Sequence, residues 1–228
     1  MEAWAGADNS LQSLYNDKKG GGTVSAMEPI RDMETVQDIS RRLSELDTPR
    51  GRRLYLLWKV GILTGLRIGD LIQLRVGDLR GRRDYTYLPQ KQSHKKRARE
   101  ITIPLPDELR RVVDARTRGQ PDDAWLFPSK VTSGGGYPRH ITRQQAYLDM
   151  QDIRRICRVR QRIGCHTMRK TFGYHYYQAT GDIANLMVWF YHESEATTLI
   201  YCGLTYDNLK KMTARNPFKR AEGERVDV

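Results

Sequence analysis

The chain has 228 residues, 39% of them hydrophobic, which is enough to bury the core of one main domain. Lysines and arginines number 39 against 27 aspartates and glutamates, and the resulting formal charge of +12 favours a polyanion such as nucleic acid as partner. Three cysteines without a CxxC pair argue against a disulfide scaffold or a zinc site, and no apolar run approaches the ~18 residues of a membrane span. A protein surface that happens to be basic is the alternative interpretation of the charge.

The first residues differ in composition from the rest of the chain. Residues 1–28 show little apolar periodicity and include glycines 20–22, which predicts a flexible leader. We expect the ordered domain over residues 29–215 and a second flexible tail over 216–228. The N-terminus lacks the apolar core of a signal peptide, so the sequence predicts a cytoplasmic protein with no membrane segment.

The ordered part is predicted to be mainly α-helical. Asp32 has the side chain of an N-cap, and apolar residues at helical spacing follow until Pro49 closes the segment. Further helices are predicted over 54–63, 67–74, 107–118, 141–159, 167–179, 182–191 and 195–202, with a break at Thr64 and Gly65. Residues 85–88 and 101–104 alternate as short strands around a basic turn, which predicts a small antiparallel β-sheet.

Candidate chemistry begins with His166 and Arg169, which are three residues apart near a helix start and therefore share one face. One phosphate could contact both side chains. The pair alone is more often structural than functional, and it gains meaning from residues elsewhere in the chain. These are Arg67 after the Thr64 and Gly65 break, Lys91 in the hairpin, and His192 followed nine residues later by Tyr201.

This ordered set resembles the tyrosine recombinase, or phage integrase, family, whose catalytic domain carries Arg, Lys, His-x-x-Arg, His or Trp, and Tyr in that order. The resemblance covers residues 29–215. It implies the DNA breaking-rejoining catalytic-domain fold and a site-specific recombinase that integrates, excises or inverts DNA through a 3′-phosphotyrosine. Neither a metal, nor ATP, nor another cofactor is implied.

Carried over residue by residue, the resemblance implies a phosphate clamp of Arg67 and Arg169, Lys91 as general acid, His166 and His192 as supporting groups, and Tyr201 as nucleophile. Two guanidiniums can offer paired, permanently charged donors to the oxygens of a phosphate in its transition state. A tyrosine hydroxyl titrates near pH ~10 and needs a base or nearby cations to attack at neutral pH. His166 is the natural proton acceptor.

Two groups of basic residues could hold the DNA backbone. The hairpin turn carries Lys95, Lys96, Arg97 and Arg99, any of which could replace Lys91 as the acid or only grip phosphates. A second group precedes His166 and comprises Arg154, Arg155, Arg158, Arg160 and Arg162. A solvated helix face is the alternative for this second group.

Four further positions qualify the resemblance. Asp70 supplies the carboxylate that the family commonly has three residues after its first arginine, whereas Tyr191 stands where the family usually has a small residue. The junction near His192 is therefore expected to pack differently. Tyr206 is the fallback nucleophile, and Cys202 beside Tyr201 is interpreted as a packing residue.

The resemblance also implies partners. Double-stranded DNA is the substrate, a homotetramer on paired sites is the expected assembly, and the nucleoid is the expected location. The segment 205–218 could be a helix donated to a neighbouring subunit or one that docks on its own domain. Only about thirty residues precede the domain, where the family commonly has a separate clamp domain, so the chain is either a single-domain member or a fragment. The alternatives to recombination are a type IB-like topoisomerase and a non-catalytic DNA-binding regulator.

Overall fold

The structure is a computed structural model that describes residues 27–90, 99–130, 132 and 139–204. The elements in chain order are α1 (Met33–Ser44), α2 (Pro49–Thr64), α3 (Ile68–Leu71), α4 (Val76–Leu79), β1 (Asp84–Tyr87), β2 (Ile101–Pro104), α5 (Asp107–Arg116), α6 (Arg143–Ile156), α7 (Cys165–Thr180), α8 (Ile183–Phe190) and α9 (Glu195–Tyr201). The described part is mostly helical with one two-stranded antiparallel sheet, so the predicted fold class is confirmed.

Helix α2 lies at the centre of the main core, where it packs against α1, α5 and α7. Its Trp58 is fully buried and donates a hydrogen bond from Nε1 to Ser40 Oγ of α1 at 2.9 Å. The helix begins at Pro49, where Thr48 caps it by accepting the Gly51 amide at 2.9 Å. The predicted start near residue 54 was wrong because a proline at the first helical position starts a helix as readily as it ends one.

The break after α2 sets the position of Arg67. Gly65 ends the helix in the left-handed conformation, with φ at 62°, and any Cβ there would collide with the ring of Phe172 on α7. Arg67 then stands at the N-cap of α3. The predicted break is confirmed, but α3 lasts a single turn and ends at Leu71 instead of Leu74, and α4 had not been predicted.

The hairpin has the predicted strands. Tyr87 pairs with Ile101, and the hydroxyls of Thr86 and Thr102 lie 2.7 Å apart across the exposed face. Residues 91–98, which include most of the predicted basic turn, lie outside the described residues.

A second, smaller core holds α8 and α9 against α7. Its fully buried members are Leu186, Phe190, Cys202 and Leu204. Burial raises the pKa of the Cys202 thiol to about 12. Its predicted role in packing is confirmed, and this core fixes the helix that carries Tyr201.

The chain before α1 packs on the domain from Met27 onward. Ile30 is buried, and Gln161 Nε2 approaches the carbonyl oxygen of Glu28 at 3.5 Å. Two residues assigned to the leader thus belong to the packed part of the chain. Residues 1–26 and 205–228, which carry the rest of the leader, the segment 205–218, the tail and Tyr206, lie outside the described residues.

Candidate active site

Helix α7 presents His166 and Arg169 from its first two turns. The helix starts where Thr167 Oγ1 accepts the Gly164 amide at 3.0 Å. Arg169 points into the protein with 2% of its surface exposed, and its Nη1 and Nη2 donate to the carbonyl oxygens of Gly65 at 2.6 Å and Phe190 at 2.8 Å. Its guanidinium thus ties the break after α2 to the end of α8.

Arg67 also donates to the Phe190 carbonyl oxygen. Its Nη2 donates to Phe190 O at 2.9 Å, so two guanidiniums share one acceptor although Arg67 and Phe190 are 123 positions apart. Burial and the neighbouring charge of Arg67 lower the pKa of Arg169 to about 10, which leaves Arg169 charged at neutral pH. Among the described residues, no acceptor lies within hydrogen-bonding distance of the buried Arg67 Nη1.

The C-terminus of α8 provides the negative potential that this pair of cations needs. The carbonyl groups of a last helical turn lack partners within the helix and carry the negative end of its dipole. Phe190 ends α8, and its ring also lies under the Arg169 guanidinium at 3.9 Å. Tyr191 follows in the left-handed conformation, with φ at 48° and ψ at 52°, and so turns the chain away from the Phe190 carbonyl.

Tyr201, at the end of α9, completes the cluster. Its hydroxyl lies 3.2 Å from His166 Nδ1, and its ring packs edge-on against His192 and Phe190. Burial raises the pKa of Tyr201, while the charges of Arg169 and Arg67 oppose that shift. The phenol therefore stays protonated at neutral pH until a base accepts its proton.

His166 is placed and poised to be that base. Partial burial lowers its pKa below the usual value, and the positive charges of Lys170 and Arg169 lower it further. The imidazole is therefore neutral at pH 7. In the tautomer that carries its proton on Nε2, its Nδ1 can accept the Tyr201 proton along the 3.2 Å contact.

His192 lies beside this pair and is held by α9 itself. Its Nδ1 contacts Thr198 Oγ1 at 3.1 Å, and its ring centre is 5.3 Å from that of Tyr201. The junction that Tyr191 was expected to alter keeps His192 next to Tyr201, through the left-handed turn at Tyr191.

Asp70 has a contact that the sequence did not reveal. Its Oδ1 accepts the Gln90 amide at 2.9 Å, and Gln90 Oε1 accepts Arg143 Nη2 at 2.9 Å. Burial raises the pKa of Asp70, and its Oδ2 is buried with no hydrogen-bond partner in the described part of the chain. Asp70 thus links α3 to the residue before Lys91, which itself lies outside the described residues.

The structure describes some of the predicted DNA-contacting residues and not others. Lys95, Lys96 and Arg97 lie outside the described residues, and Arg99 is exposed. The others, at the end of α6, are Arg154, Arg155 and Arg158.

These three arginines are not equally available. Arg154 donates to the carbonyl oxygens of Gln161 at 3.0 Å and Arg160 at 3.2 Å, so it supports the turn before α7. Arg155 is largely exposed and pairs with Asp152 at 3.1 Å. Arg158 is exposed, with φ at 54°.

Sequence reasoning missed a basic cleft of about 1020 Å³ between the N-terminal ends of α2 and α6. Helix N-termini carry positive partial charge, and none of the described residues that line the cleft is acidic. The cationic residues that line it are Arg50, Arg52, Arg53, Arg116, Lys130 and Arg139. The only sequence signal was their charge, because they come from three separate stretches of chain.

Some of these side chains are already paired. Arg53 holds the fully buried carboxylate of Asp149 with two hydrogen bonds of 2.9 and 2.7 Å, and is therefore structural. Lys130 and Arg139 form no side-chain hydrogen bond or ion pair with any described residue, so they are the cations of the cleft that an anion could reach most readily.

The described ranges contain no group of three His, Cys, Asp or Glu residues that could hold a metal ion, and no helix in them is long and apolar enough to cross a membrane.

Comparison with known proteins decides the family. A sequence model of the phage integrase family matches residues 33–208. The chain belongs to this family of tyrosine recombinases. It is 32% identical over 184 residues to a probable integrase/recombinase, YoeC, of Bacillus subtilis, and the match covers 81% of this chain and 93% of that protein. It is 26% identical to the tyrosine recombinase XerD of Caulobacter vibrioides, over 85% of this chain and 64% of XerD.

Solved tyrosine recombinases have the same fold. The XerA recombinase superposes with a TM-score of 0.62 at 20% identity, over 91% of this chain and 75% of XerA. The catalytic domain of bacteriophage HP1 integrase superposes with a TM-score of 0.52 at 17% identity, over 84% of this chain and 96% of that domain. The chain therefore has the catalytic-domain fold of the tyrosine recombinases.

Proposed function

We propose that this chain is a site-specific recombinase that cleaves and rejoins double-stranded DNA through a covalent bond between Tyr201 and a 3′-phosphate. One observation carries the proposal: the Tyr201 hydroxyl lies 3.2 Å from a neutral imidazole, beside two guanidiniums that converge on one oxygen. A nucleophile, its base and an anion site thus meet in one place.

In the cleavage step, the Tyr201 oxygen attacks the phosphorus and its proton passes to His166. The P–O bond to the 5′ oxygen breaks, and that oxygen takes a proton from Lys91, the residue that the family resemblance assigns as general acid. Lys91 follows Gln90, whose backbone amide donates to Asp70, so the base of its hairpin is tied to α3, the helix that follows Arg67. Rejoining reverses each of these transfers.

Charge on the phosphate oxygens is stabilised by Arg67 and Arg169. Both already donate to the Phe190 carbonyl, which fixes their relative orientation before DNA arrives, and such preorganisation is the main source of electrostatic catalysis. Arg67 Nη1 lacks an acceptor in the described structure, as expected for a donor whose partner is a ligand oxygen. His192 supports Tyr201 through its ring contact.

The phosphotyrosine bond retains the energy of the phosphodiester that was broken, so rejoining needs no ATP. Two guanidiniums and a lysine provide the positive charge for both steps, and we therefore propose a reaction that needs no metal ion. The solved XerH recombinase bound to its difH substrate is similar to this chain, with a TM-score of 0.60 at 18% identity. A homotetramer on paired DNA sites stays a prediction.

The first test is covalent trapping. The purified protein selects its binding site from a random duplex pool, and a nicked duplex with that site lets the cleaved fragment diffuse away. We expect the parent protein to accumulate an adduct that survives denaturation, with or without a metal chelator. Tyr201→Phe should bind the same DNA but give no adduct, because the attacking oxygen is missing.

The control is Tyr147→Phe, which removes a hydroxyl from an exposed tyrosine of α6 and should leave the adduct unchanged. Arg169→Ala should slow adduct formation by about two orders of magnitude or more. An adduct formed by Tyr201→Phe but lost in Tyr206→Phe would move the nucleophile to Tyr206. Relaxation of supercoiled DNA without a specific site would indicate a topoisomerase, and binding without any adduct would indicate a DNA-binding regulator.

A further inference from the structure

Residues 27–31, here called the strap, cross α7 and reach the end of α9. Ile30, with 1% of its surface exposed, anchors the strap through both of its backbone groups. Its amide donates to Thr171 Oγ1 at 3.0 Å, and its carbonyl oxygen lies 2.9 Å from His175 Nε2. Thr171 and His175 are four residues apart on one face of α7, the helix that carries His166 and Arg169.

The next residue of the strap holds the end of α9. Arg31 Nη2 donates to the Gly203 carbonyl oxygen at 2.9 Å, across 172 positions of sequence. The guanidinium lies 3.8 Å from Glu28 Oε2 and 5.7 Å from the ring centre of Tyr174. The Arg31 side chain is thus oriented by a carboxylate of the strap and a ring of α7.

Gly203 caps the helix that carries Tyr201. It adopts φ of 68°, and its amide donates to Ile200 O at 3.1 Å while the Leu204 amide donates to Leu199 O at 2.9 Å. Leu204 is fully buried, so the turn cannot move without exposing it. Only Cys202 lies between Tyr201 and Gly203.

Helix α9 has only seven residues, too few to be stable alone, so contacts with the rest of the protein decide where it lies. At its C-terminal end these contacts include the Tyr201 to His166 contact, the burial of Cys202 and Leu204 in the second core, and the hydrogen bond from Arg31. The bond from Arg31 comes from a residue 172 positions before Gly203 in the chain.

We propose that the strap sets the position of α9, and that Arg31 is a positioning residue for DNA cleavage. The proposal rests on the proposed function, in which Tyr201 is the nucleophile. Arg31 does not touch the reacting atoms. By fixing the Gly203 carbonyl it keeps the Tyr201 hydroxyl at the distance from His166 that proton transfer requires. A displacement of about 1 Å in such a site can slow a reaction by up to roughly a hundredfold.

The test compares Arg31→Ala, Arg31→Lys and the control Arg111→Ala in the full chain. Arg111 is an exposed arginine of α5. Arg111→Ala removes one positive charge, as Arg31→Ala does, but at a position distant in sequence from the strap and from α9. The measurements are the single-turnover rate of adduct formation at saturating nicked DNA, the Kd for that DNA, and hydrogen exchange of residues 195–204 without DNA.

We expect Arg31→Ala to form the adduct about tenfold more slowly, with its Kd equal to that of Arg111→Ala and with faster exchange confined to residues 195–204. Arg31→Lys should recover part of the rate, because an ammonium can also donate to the Gly203 carbonyl. An adduct rate equal to the parent's would overturn the proposal. If the saturating rate is unchanged and only the Kd rises, the proposal is likewise overturned, and Arg31 is a DNA contact.

The results for Tyr201→Phe distinguish failure of the proposed function from failure of the strap proposal. If Tyr201→Phe still forms the adduct, the nucleophile is elsewhere and the catalytic role of the strap is overturned with it. If Tyr201→Phe forms none and Arg31→Ala matches the parent in both rate and exchange, only the strap proposal is wrong.

Discussion

At the scale of single residues, the site depends on cations that lie close together. Arg169 and Arg67 meet at one carbonyl, and Lys170 Nζ lies 5.3 Å from the ring centre of Tyr201. Partial burial lowers the pKa of His166 below its usual value, and the positive charges of Lys170 and Arg169 lower it further. The same charges that would bind a phosphate therefore keep the candidate base able to accept a proton.

The first residue-scale prediction concerns pH. Protonated His166 cannot accept the Tyr201 proton, so the rate of adduct formation should fall as pH falls through the lowered pKa of His166 and should be level near neutrality. Lys170→Met removes a charge that lowers this pKa. The pKa should then rise, and the acid limb should move to higher pH.

The measurement is the single-turnover rate at saturating DNA from about pH 5 to about pH 8. Lys170→Arg keeps the charge and is the matched control, so its acid limb should stay with that of the parent. An acid limb that stays unmoved in Lys170→Met would mean that His166 is not the group that titrates.

At the scale of elements, the C-terminal end of α8 positions two groups of the site, the Phe190 carbonyl and His192. The left-handed turn at Tyr191 exposes the Phe190 carbonyl to both guanidiniums and directs the chain so that His192 lies beside Tyr201. A side chain in this conformation costs about 1 kcal/mol relative to glycine. Tyr191 recovers part of that cost because its half-buried ring packs on the main core.

The prediction for α8 compares Tyr191→Gly with Tyr191→Ala. Both variants lose the ring, but only alanine retains the steric cost of the left-handed conformation. The free energy of unfolding should therefore be about 1 kcal/mol higher for the glycine variant, measured by urea denaturation. Glycine usually lowers stability relative to alanine, so equal stability, or a more stable alanine variant, would show that Tyr191 is not held at positive φ.

Several elements could be predicted from the sequence because their signals are local. The Thr64 and Gly65 break and the two strands follow from residue spacing and from glycine or proline chemistry, whereas α7 starts at Cys165, two residues before its predicted start. The Phe190 carbonyl could not be predicted, because a backbone acceptor has no side-chain signature. The contacts of Ile30 and Arg31 could not be predicted either, since they join residues 141 to 172 positions apart.

At the scale of the whole molecule, the positive charge is not spread evenly over the described surface. In the basic cleft, Lys130 and Arg139 pair with no carboxylate of the described residues, whereas Arg41 and Arg42 of α1 pair with a carboxylate of their own helix. Paired arginines attract a polyanion less, because part of their charge is already neutralised. The cleft should therefore contribute more to DNA affinity than a count of arginines would suggest.

The last prediction measures that contribution. Binding of DNA releases counterions, so the logarithm of affinity falls linearly with the logarithm of salt concentration, by about 0.9 for each phosphate contact. Neutralising Lys130 and Arg139 together, as Lys130→Gln with Arg139→Gln, should make the slope shallower by up to about two.

The control is Arg83→Gln with Arg111→Gln, which removes two charges from exposed residues outside the cleft. Fluorescence anisotropy with a duplex of unrelated sequence is sufficient, since phosphate contacts do not depend on base sequence. If the cleft variant keeps the parent's slope, or if the control changes the slope by the same amount, the cleft is not a DNA contact and the overall charge alone sets the salt dependence.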